Sequence, residues 1–276
     1  SRRRHTRYGT VTGVQTCALP IYTVADAVRQ GISRDELQDL LPAGGARNAI
    51  DCAMWDLECK KAGKTIWQLT GIEPGPVTTV FTIGLEDSPE AMAKKAADAA
   101  DAPVLKVKLS AHLPYEKLAA IRAARPDATL VIDANQGWDF ELLKAVLPKC
   151  ASLDLAMIEQ PLPRGRDHIL EGFESPITLA ADESCLHCGE LATAVSRYNM
   201  INIKLDKTGG LTEALKLASQ ARQSGCKLMV GNMVGTSLSM APAFVIAQLC
   251  DFVDIDGPLL LSHDQPRGLE YVNGVV

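Results

Sequence analysis

From Val77 onward, short apolar runs alternate with helical patterns until eight runs have passed. They are Val77–Ile83, Val104–Leu109, Thr129–Asp133, Leu155–Glu159, Ile177–Ala181, Met200–Leu205, Lys227–Val230 and Phe252–Ile255. Helical patterns fill the intervals at Pro89–Ala100, Tyr115–Ala124, Phe140–Leu147, Leu191–Ser196, Leu211–Ser224 and Leu238–Leu249. Apolar strands alternating with helices predict a parallel sheet, and eight of them predict closure into an α/β barrel of the (β/α)8 type. Such a barrel takes about 250 residues. The chain has 276, which leaves room for part of a second unit.

Active sites of these barrels lie at the C-terminal ends of the strands. Asp133, Glu159 and Asp182 end three successive runs, 26 and 23 residues apart. That spacing is about one strand-helix unit, so the fold gathers the three acids at one mouth. Each acid alone would serve as a cap for the helix after its strand. Three in consecutive units, flanked by lysine-bearing strands, read instead as an all-oxygen site, which suits Mg²⁺ better than a soft metal.

Lys106 and Lys108 are two apart on a strand and share a face. With Leu105, Val107 and Leu109 turned towards the helices, both lysines point into the barrel, where an ammonium needs an anion or a task. Lys204, on the sixth strand, lies across the barrel from the second. Mg²⁺ and a second lysine close by would lower a lysine pKa and make it a usable base. Two bases on opposite faces of one carbon, with a metal on the adjacent carboxylate, suit proton abstraction beside that carboxylate. The metal stabilises an enediolate and the opposing ammonium returns a proton.

These stretches resemble the enolase superfamily, in its muconate-lactonizing subgroup. The matching segments are Lys106-Val107-Lys108, Asp133-Ala134-Asn135, Glu159-Gln160-Pro161, Ala181-Asp182-Glu183-Ser184 and Asn202-Ile203-Lys204 through Gly210. The resemblance covers about residues 30–276. It implies a modified (β/α)7β barrel with an N-terminal α+β capping domain. It also implies Asp133, Glu159 and Asp182 as Mg²⁺ ligands, Lys108 and Lys204 as the acid/base pair, and Lys106 as an electrostatic assistant.

Asp254-Ile255-Asp256 is similar to the Asp-x-Asp motif of the dipeptide epimerases within that subgroup, where it pairs with the free α-ammonium of the substrate. Two same-face carboxylates at a barrel mouth are a good cation receptor; capping of the turn at Gly257-Pro258 is the plainer alternative. The resemblance thus implies epimerisation of the C-terminal residue of a dipeptide such as L-Ala-Glu. The alternatives are an o-succinylbenzoate synthase or muconate cycloisomerase using the same residues, and a barrel fragment without turnover. Subgroup members are commonly oligomeric, so a homo-oligomer is an expectation of the same kind.

The expected division is 1–21 as non-native sequence, 22–74 as a remnant of the capping domain, 75–258 as the barrel and 259–276 as a C-terminal segment returning to the cap. Val11–Ile21 matches a translation of a widely used sequencing adapter, which is why 1–21 is set apart. Arg7-Tyr8-Gly9 faintly resembles part of a substrate-covering loop of the family. Most of the family's N-terminal sheet has no counterpart, and an N-terminally truncated chain is expected. Within the cap, Ser33 and Glu36 predict a capped helix start, and Ala46, Ala49, Ile50, Ala53, Met54 and Leu57 form the apolar stripe of a longer helix ending at Gly63. Thr65–Leu69 predicts a short helix, and Pro74-Gly75-Pro76 a linker.

A net charge of −5, with its one basic run at Arg2-Arg3-Arg4, argues against a nucleic-acid surface. No run of about 18 apolar residues exists, so no membrane span is expected. Eight scattered cysteines read as reduced thiols of a cytoplasmic protein. Cys185-Leu186-His187-Cys188 would suit redox or zinc chemistry, but no second ligand pair at zinc spacing follows it, which favours an ordinary loop.

Overall fold

The computed structural model describes the backbone of residues 11–276 and the side chains from Leu19 onward. Arg2-Arg3-Arg4 and Arg7-Tyr8-Gly9 lie outside the described residues. The first helices begin and end where the sequence supplies caps. Helix α1 (Val11–Arg29) takes in the adapter-like stretch. Ser33 opens α2 (Arg34–Leu40): its hydroxyl accepts from the Glu36 amide while the Glu36 carboxylate accepts from the Ser33 amide, the expected reciprocal cap. Helix α3 (Gly45–Ala62) stops at Gly63, which takes the left-handed φ of 62°. Thr65 and Gln68 box the start of α4 (Ile66–Thr70), and Gly71 ends it.

The barrel follows in chain order as β1 (Phe81–Ile83), α5 (Pro89–Asp98), β2 (Val104–Lys108), α6 (Pro114–Ala124), β3 (Thr129–Asp133), α7 (Phe140–Ala151), β4 (Leu155–Glu159), β5 (Thr178–Ala181), α8 (Leu191–Ala194), β6 (Met200–Lys204), α9 (Leu205–Thr208), α10 (Leu211–Gln223), β7 (Lys227–Gly231), α11 (Ser237–Ala247) and β8 (Phe252–Val253). All eight strands are parallel and pair in sequence order. A parallel bridge between Thr79 and Val253 joins the two edges. The final strand leads into a 3-10 turn, Gly257–Leu260, in agreement with the (β/α)7β expectation. Between β4 and β5 a single 3-10 turn, Asp167–Leu170, replaces the full helix of a regular unit.

The first run is shorter as a strand than the sequence predicts. Val77 exchanges backbone hydrogen bonds with Val276, and Thr79 donates to Gly274. Residues 77–79 are therefore held largely by the C-terminal segment, and regular pairing to β2 begins at Phe81.

Period-two alternation divides the strand side chains into two sets. Outward-facing Leu105, Val107, Leu130, Ile132, Ile158, Ile201, Ile203, Leu228 and Val230 are buried against Met92, Leu118, Ile121, Leu143, Leu217 and Ile246 of the helices. Each such side chain contributes about 1.5–3 kcal/mol by leaving water. Inward-facing Val80, Val131, Met157, Ala180, Met200 and Met229 form a separate apolar floor inside the barrel. Two residues beyond Val131, Met157, Ala180, Met200 and Met229 stand Asp133, Glu159, Asp182, Asn202 and Gly231. The same alternation that packs the floor therefore raises a polar layer directly above it.

In α3 the structure departs from the simple amphipathic picture. Of the apolar stripe, Ile50 and Met54 pack on a small cluster of Val24, Leu37 and Leu41, but Leu57 is half exposed. The fully buried positions are Arg47, Asp51 and Trp55, spaced four apart. That face meets a backbone turn of the barrel, whose amides and carbonyls need polar partners.

Candidate active site

Strand register aligns Lys108 with Asp133 and Asp133 with Glu159 across β2, β3 and β4. The lysines and acids predicted from sequence come together in one connected cluster. Lys108 Nζ lies 2.5 Å from Asp133 Oδ2. Lys106 Nζ lies 3.3 Å from the same oxygen, 2.7 Å from Glu159 Oε2 and 2.6 Å from Asp254 Oδ2. Lys204 Nζ is 2.8 Å from Asp182 Oδ2 and 3.8 Å from Glu159 Oε1. Charges alternate along this chain from β2 to β6, across the mouth.

Burial and neighbouring charge act in opposite directions throughout. Burial drives the Asp133 carboxyl up, but Lys106 and Lys108 outweigh it and hold Asp133 below the usual carboxylate range. Asp182 is likewise pushed up by burial and brought below its usual range by Lys204 and Lys207. Glu159 differs: burial and the adjacent Asp133 push it up to about 7, against the pull of Lys106 and Lys204. Burial pulls Lys106 and Lys204 down, yet the surrounding carboxylates raise both above the ordinary lysine value.

At the far end of the sheet, Asp254 Oδ2 is held by Lys106 while its Oδ1 accepts from Asn232 Nδ2 at 3.0 Å. Asp256 Oδ2 accepts from the Thr82 amide at 2.9 Å. Burial, then the charge of Asp254, pushes Asp256 up to about 6. The two acids are both buried, but Asp256 holds its proton to a higher pH because Asp254 alone has a lysine partner.

Several functional partners carry no separate signal in a sequence reading. Lys207, one helical turn beyond Lys204, places its Nζ 2.5 Å from Asp182 Oδ1. Asn202, two residues before Lys204 and thus on the same inward face, donates to Glu159 Oε1 at 2.7 Å. Gln160 takes a left-handed φ of 36° and is buried. Its Oε1 accepts from the Asp182 and Ser184 amides, and its Nε2 donates towards Leu162 O, Ser184 Oγ and Tyr198 OH. Gln160 thereby fixes the end of β4, with Glu159, relative to the end of β5, with Asp182. In the Cys185–Cys188 loop, burial pushes both thiols up to about 12, so both stay as thiols.

Among the described residues no three acid, imidazole or thiol groups converge as a ready-made metal cage; lysine ammonium groups stand between the acids. The donor chemistry nevertheless fits a hard divalent cation. Asp133, Glu159 and Asp182 offer only carboxylate oxygens. Glu159 Oε2, though close to Lys106, has no partner in hydrogen-bond geometry among the described residues, which leaves a buried carboxylate oxygen for an added cation. No described helix is long and apolar enough to cross a membrane.

Residues 90–276 match the family described as enolase C-terminal domain-like, and residues 14–71 match the mandelate racemase / muconate lactonizing enzyme N-terminal domain. The chain belongs to the enolase superfamily, in the mandelate racemase and muconate lactonizing group. It is 45% identical to the L-Ala-D/L-Glu epimerase of Escherichia coli K12 over 92% of this chain and 80% of that protein. It is 42% identical to an N-acetyl-D-glutamate racemase of a Pseudoalteromonas species, over 87% of this chain and 76% of the relative. Among solved structures, it resembles an enolase family member from Agrobacterium tumefaciens with homology to dipeptide epimerases, bound to sodium and L-Ala-L-Glu. The TM-score is 0.91 at 46% identity, covering 95% of this chain and 80% of that one. It also resembles the dipeptide epimerase of Methylococcus capsulatus complexed with Mg ion, with a TM-score of 0.81 at 30% identity, covering 92% and 76%.

Proposed function

We infer that this protein is an isomerase: a Mg²⁺-dependent dipeptide epimerase that inverts the α-carbon of the C-terminal residue of a dipeptide such as L-Ala-Glu. The observation that carries this reading is the alternating chain of lysines and carboxylates from Lys108 on β2 to Lys204 on β6. It supplies a nitrogen base on each side of the mouth with an acid layer between them.

Asp133, Glu159 and Asp182 would hold Mg²⁺. When bound, that ion supplies positive charge beside the substrate carboxylate, where electron density collects as the α-proton leaves, and it lowers the lysine pKa values that the bare carboxylates raise. On one face of the α-carbon, a neutral lysine Nζ takes the proton and becomes an ammonium. On the other face, the opposing ammonium gives its proton to the same carbon, and the configuration inverts. The pair is then reversed in charge and returns to its starting state by exchange with solvent. Lys106, fully buried among Asp133, Glu159 and Asp254, keeps a fixed positive charge beneath the reacting centre. Asp254 and Asp256 receive the free α-ammonium of the dipeptide, with Asp256 the acid that lacks a lysine partner.

Substrates of the o-succinylbenzoate and muconate kind carry no ammonium for this pair to receive. N-acetylglutamate, the type of substrate named for the Pseudoalteromonas relative, also lacks one. Proton NMR in D₂O with Mg²⁺ tests the reading, using L-Ala-L-Glu and N-acetyl-L-glutamate in parallel. Loss of the Glu α-proton signal with growth of the L,D diastereomer supports it. Exchange of N-acetylglutamate alone would replace it with an N-acyl amino acid racemase, and exchange of neither would overturn it.

A further inference from the structure

Immediately after Lys204 the chain makes the single turn α9 and then bends through Gly209-Gly210 into α10. This bend is fastened by side chains of the cap. Arg47 Nη2 donates to Thr208 O at 2.6 Å and its Nε to Gly209 O at 3.2 Å. The same guanidinium donates through Nη1 to Gln38 O and Leu41 O at the end of α2. Asp51 Oδ2 accepts from the Thr212 amide at 3.0 Å, and Asn48 Nδ2 donates to Asp206 Oδ1 at 3.1 Å. Arg47 and Asp51 are 6% and 0% exposed, which excludes a loose surface contact.

The turn is built to accept them. Gly209 and Gly210 have φ of +83° and +116°, conformations that favour glycine. A Cβ on Gly210 would stand 2.5 Å from Asp51 Cβ, so the missing side chain is space that Asp51 fills. Gly210 is the cap position of α10 and offers no side-chain oxygen. Asp51 takes over that role from outside the helix by accepting the first-turn amide. Arg47 has no carboxylate in hydrogen-bond contact among the described residues; four carbonyls satisfy it instead, two on each side of the joint.

We propose that Arg47 and Asp51 are positioning residues for Lys204 and Lys207. They anchor α9 to the cap, and α9 sets where the two ammonium groups that flank Asp182 stand relative to the α-carbon. This role rests on the epimerase reading above. It also makes a claim that a general structural role does not. Lys204 serves one face of the α-carbon and Lys108 the other, and only Lys204 is attached to the anchored turn.

The test is α-proton exchange in D₂O with Mg²⁺, started separately from L-Ala-L-Glu and L-Ala-D-Glu. Lys204→Ala and Lys108→Ala identify which diastereomer reports which lysine. Arg47→Met and Asp51→Ala are expected to slow exchange at the Lys204 face about ten-fold or more, since displacement by about 1 Å is costly to a reacting group. Exchange at the Lys108 face should stay within about two-fold, and Asp51→Asn, which keeps an acceptor for Thr212, should restore most of the rate. Equal slowing of both faces, or slowing of neither, overturns the proposal. If Arg47→Met fails to fold, Arg47→Lys, which keeps the charge but loses the fork, carries the same comparison. Wild-type protein that exchanges neither proton overturns the epimerase reading and this role with it.

Discussion

Gly231 pairs with Lys204 across β6 and β7, and replacing it by alanine separates stability from chemistry. A Cβ at this position would stand 2.7 Å from Lys204 Cε and 2.7 Å from Asn202 Oδ1. Carbon atoms in contact sit about 3.5–4.0 Å apart, so the lysine must retreat by about 1 Å. The fold loses little by this, because a lysine tip bends readily; overpacking of this kind costs about 1–3 kcal/mol. The lysine itself has little room to retreat without harm. Its Nζ is held at 2.8 Å by Asp182, and Asn202 is held by Glu159 at 2.7 Å. A misplacement of about 1 Å at a reacting group costs roughly 100-fold in rate. Gly231→Ala should therefore lower α-proton exchange at the Lys204 face by roughly 100-fold, while circular dichroism records a small fall in Tm. Exchange at the Lys108 face should change much less. A variant with both faces equally slowed, or with full activity, would refute the claim that glycine is required here to make room for Lys204.

Asp256→Asn removes a charge from the ammonium receptor and should raise KM for L-Ala-Glu about 10-fold or more with a smaller change in kcat, measured by polarimetry. Asp256 itself titrates near pH 6, and its receptor form is the ionised one. The charge is present above pH 6 and lost as pH falls through it, so KM should rise below pH 6 in the wild type, and that limb should be missing from the Asp256→Asn profile. Chelation of divalent cations should abolish exchange and Mg²⁺ should restore it; isothermal titration of Mg²⁺ into the chelated protein should show one site that weakens sharply in Glu159→Gln.

The barrel was legible in the chain because its strands are short, apolar and buried on both faces, and because its turns carry strong stop signals. Asp133, Glu159 and Asp182 could be placed at one mouth from spacing alone, since the first two end their strands and the third directly follows one. The inward direction of Lys106 followed from Leu105 and Val107 on either side of it, and both leucine and valine do pack against helices. Less visible were partners whose role depends on another segment. Arg47 looks like a solvent-facing residue on an amphipathic helix until the carbonyls of Thr208 and Gly209 are brought against it. Lys207 and Asn202 lie within the 202–210 segment that resembles the family, yet no local pattern distinguishes them from surface or strand residues. The pairing of Lys106 with Asp254 spans 148 residues and arises only when the barrel closes.

The cap–barrel joint has a consequence for how such proteins could be recombined. By chain order the two matched domains, 14–71 and 90–276, are separated by a stretch that contains Pro74-Gly75-Pro76. By hydrogen bonding, the unit that travels with α3 also includes Asp206–Thr212, deep within the barrel sequence. A cap transplanted from a relative would meet a Gly209-Gly210 bend shaped around Arg47 and Asp51, and would dock only if it brought the same two side chains. The seam for domain exchange in this protein is therefore discontinuous in sequence, and a chimera designed at the proline linker alone would carry over the cap while leaving behind the turn that it fastens.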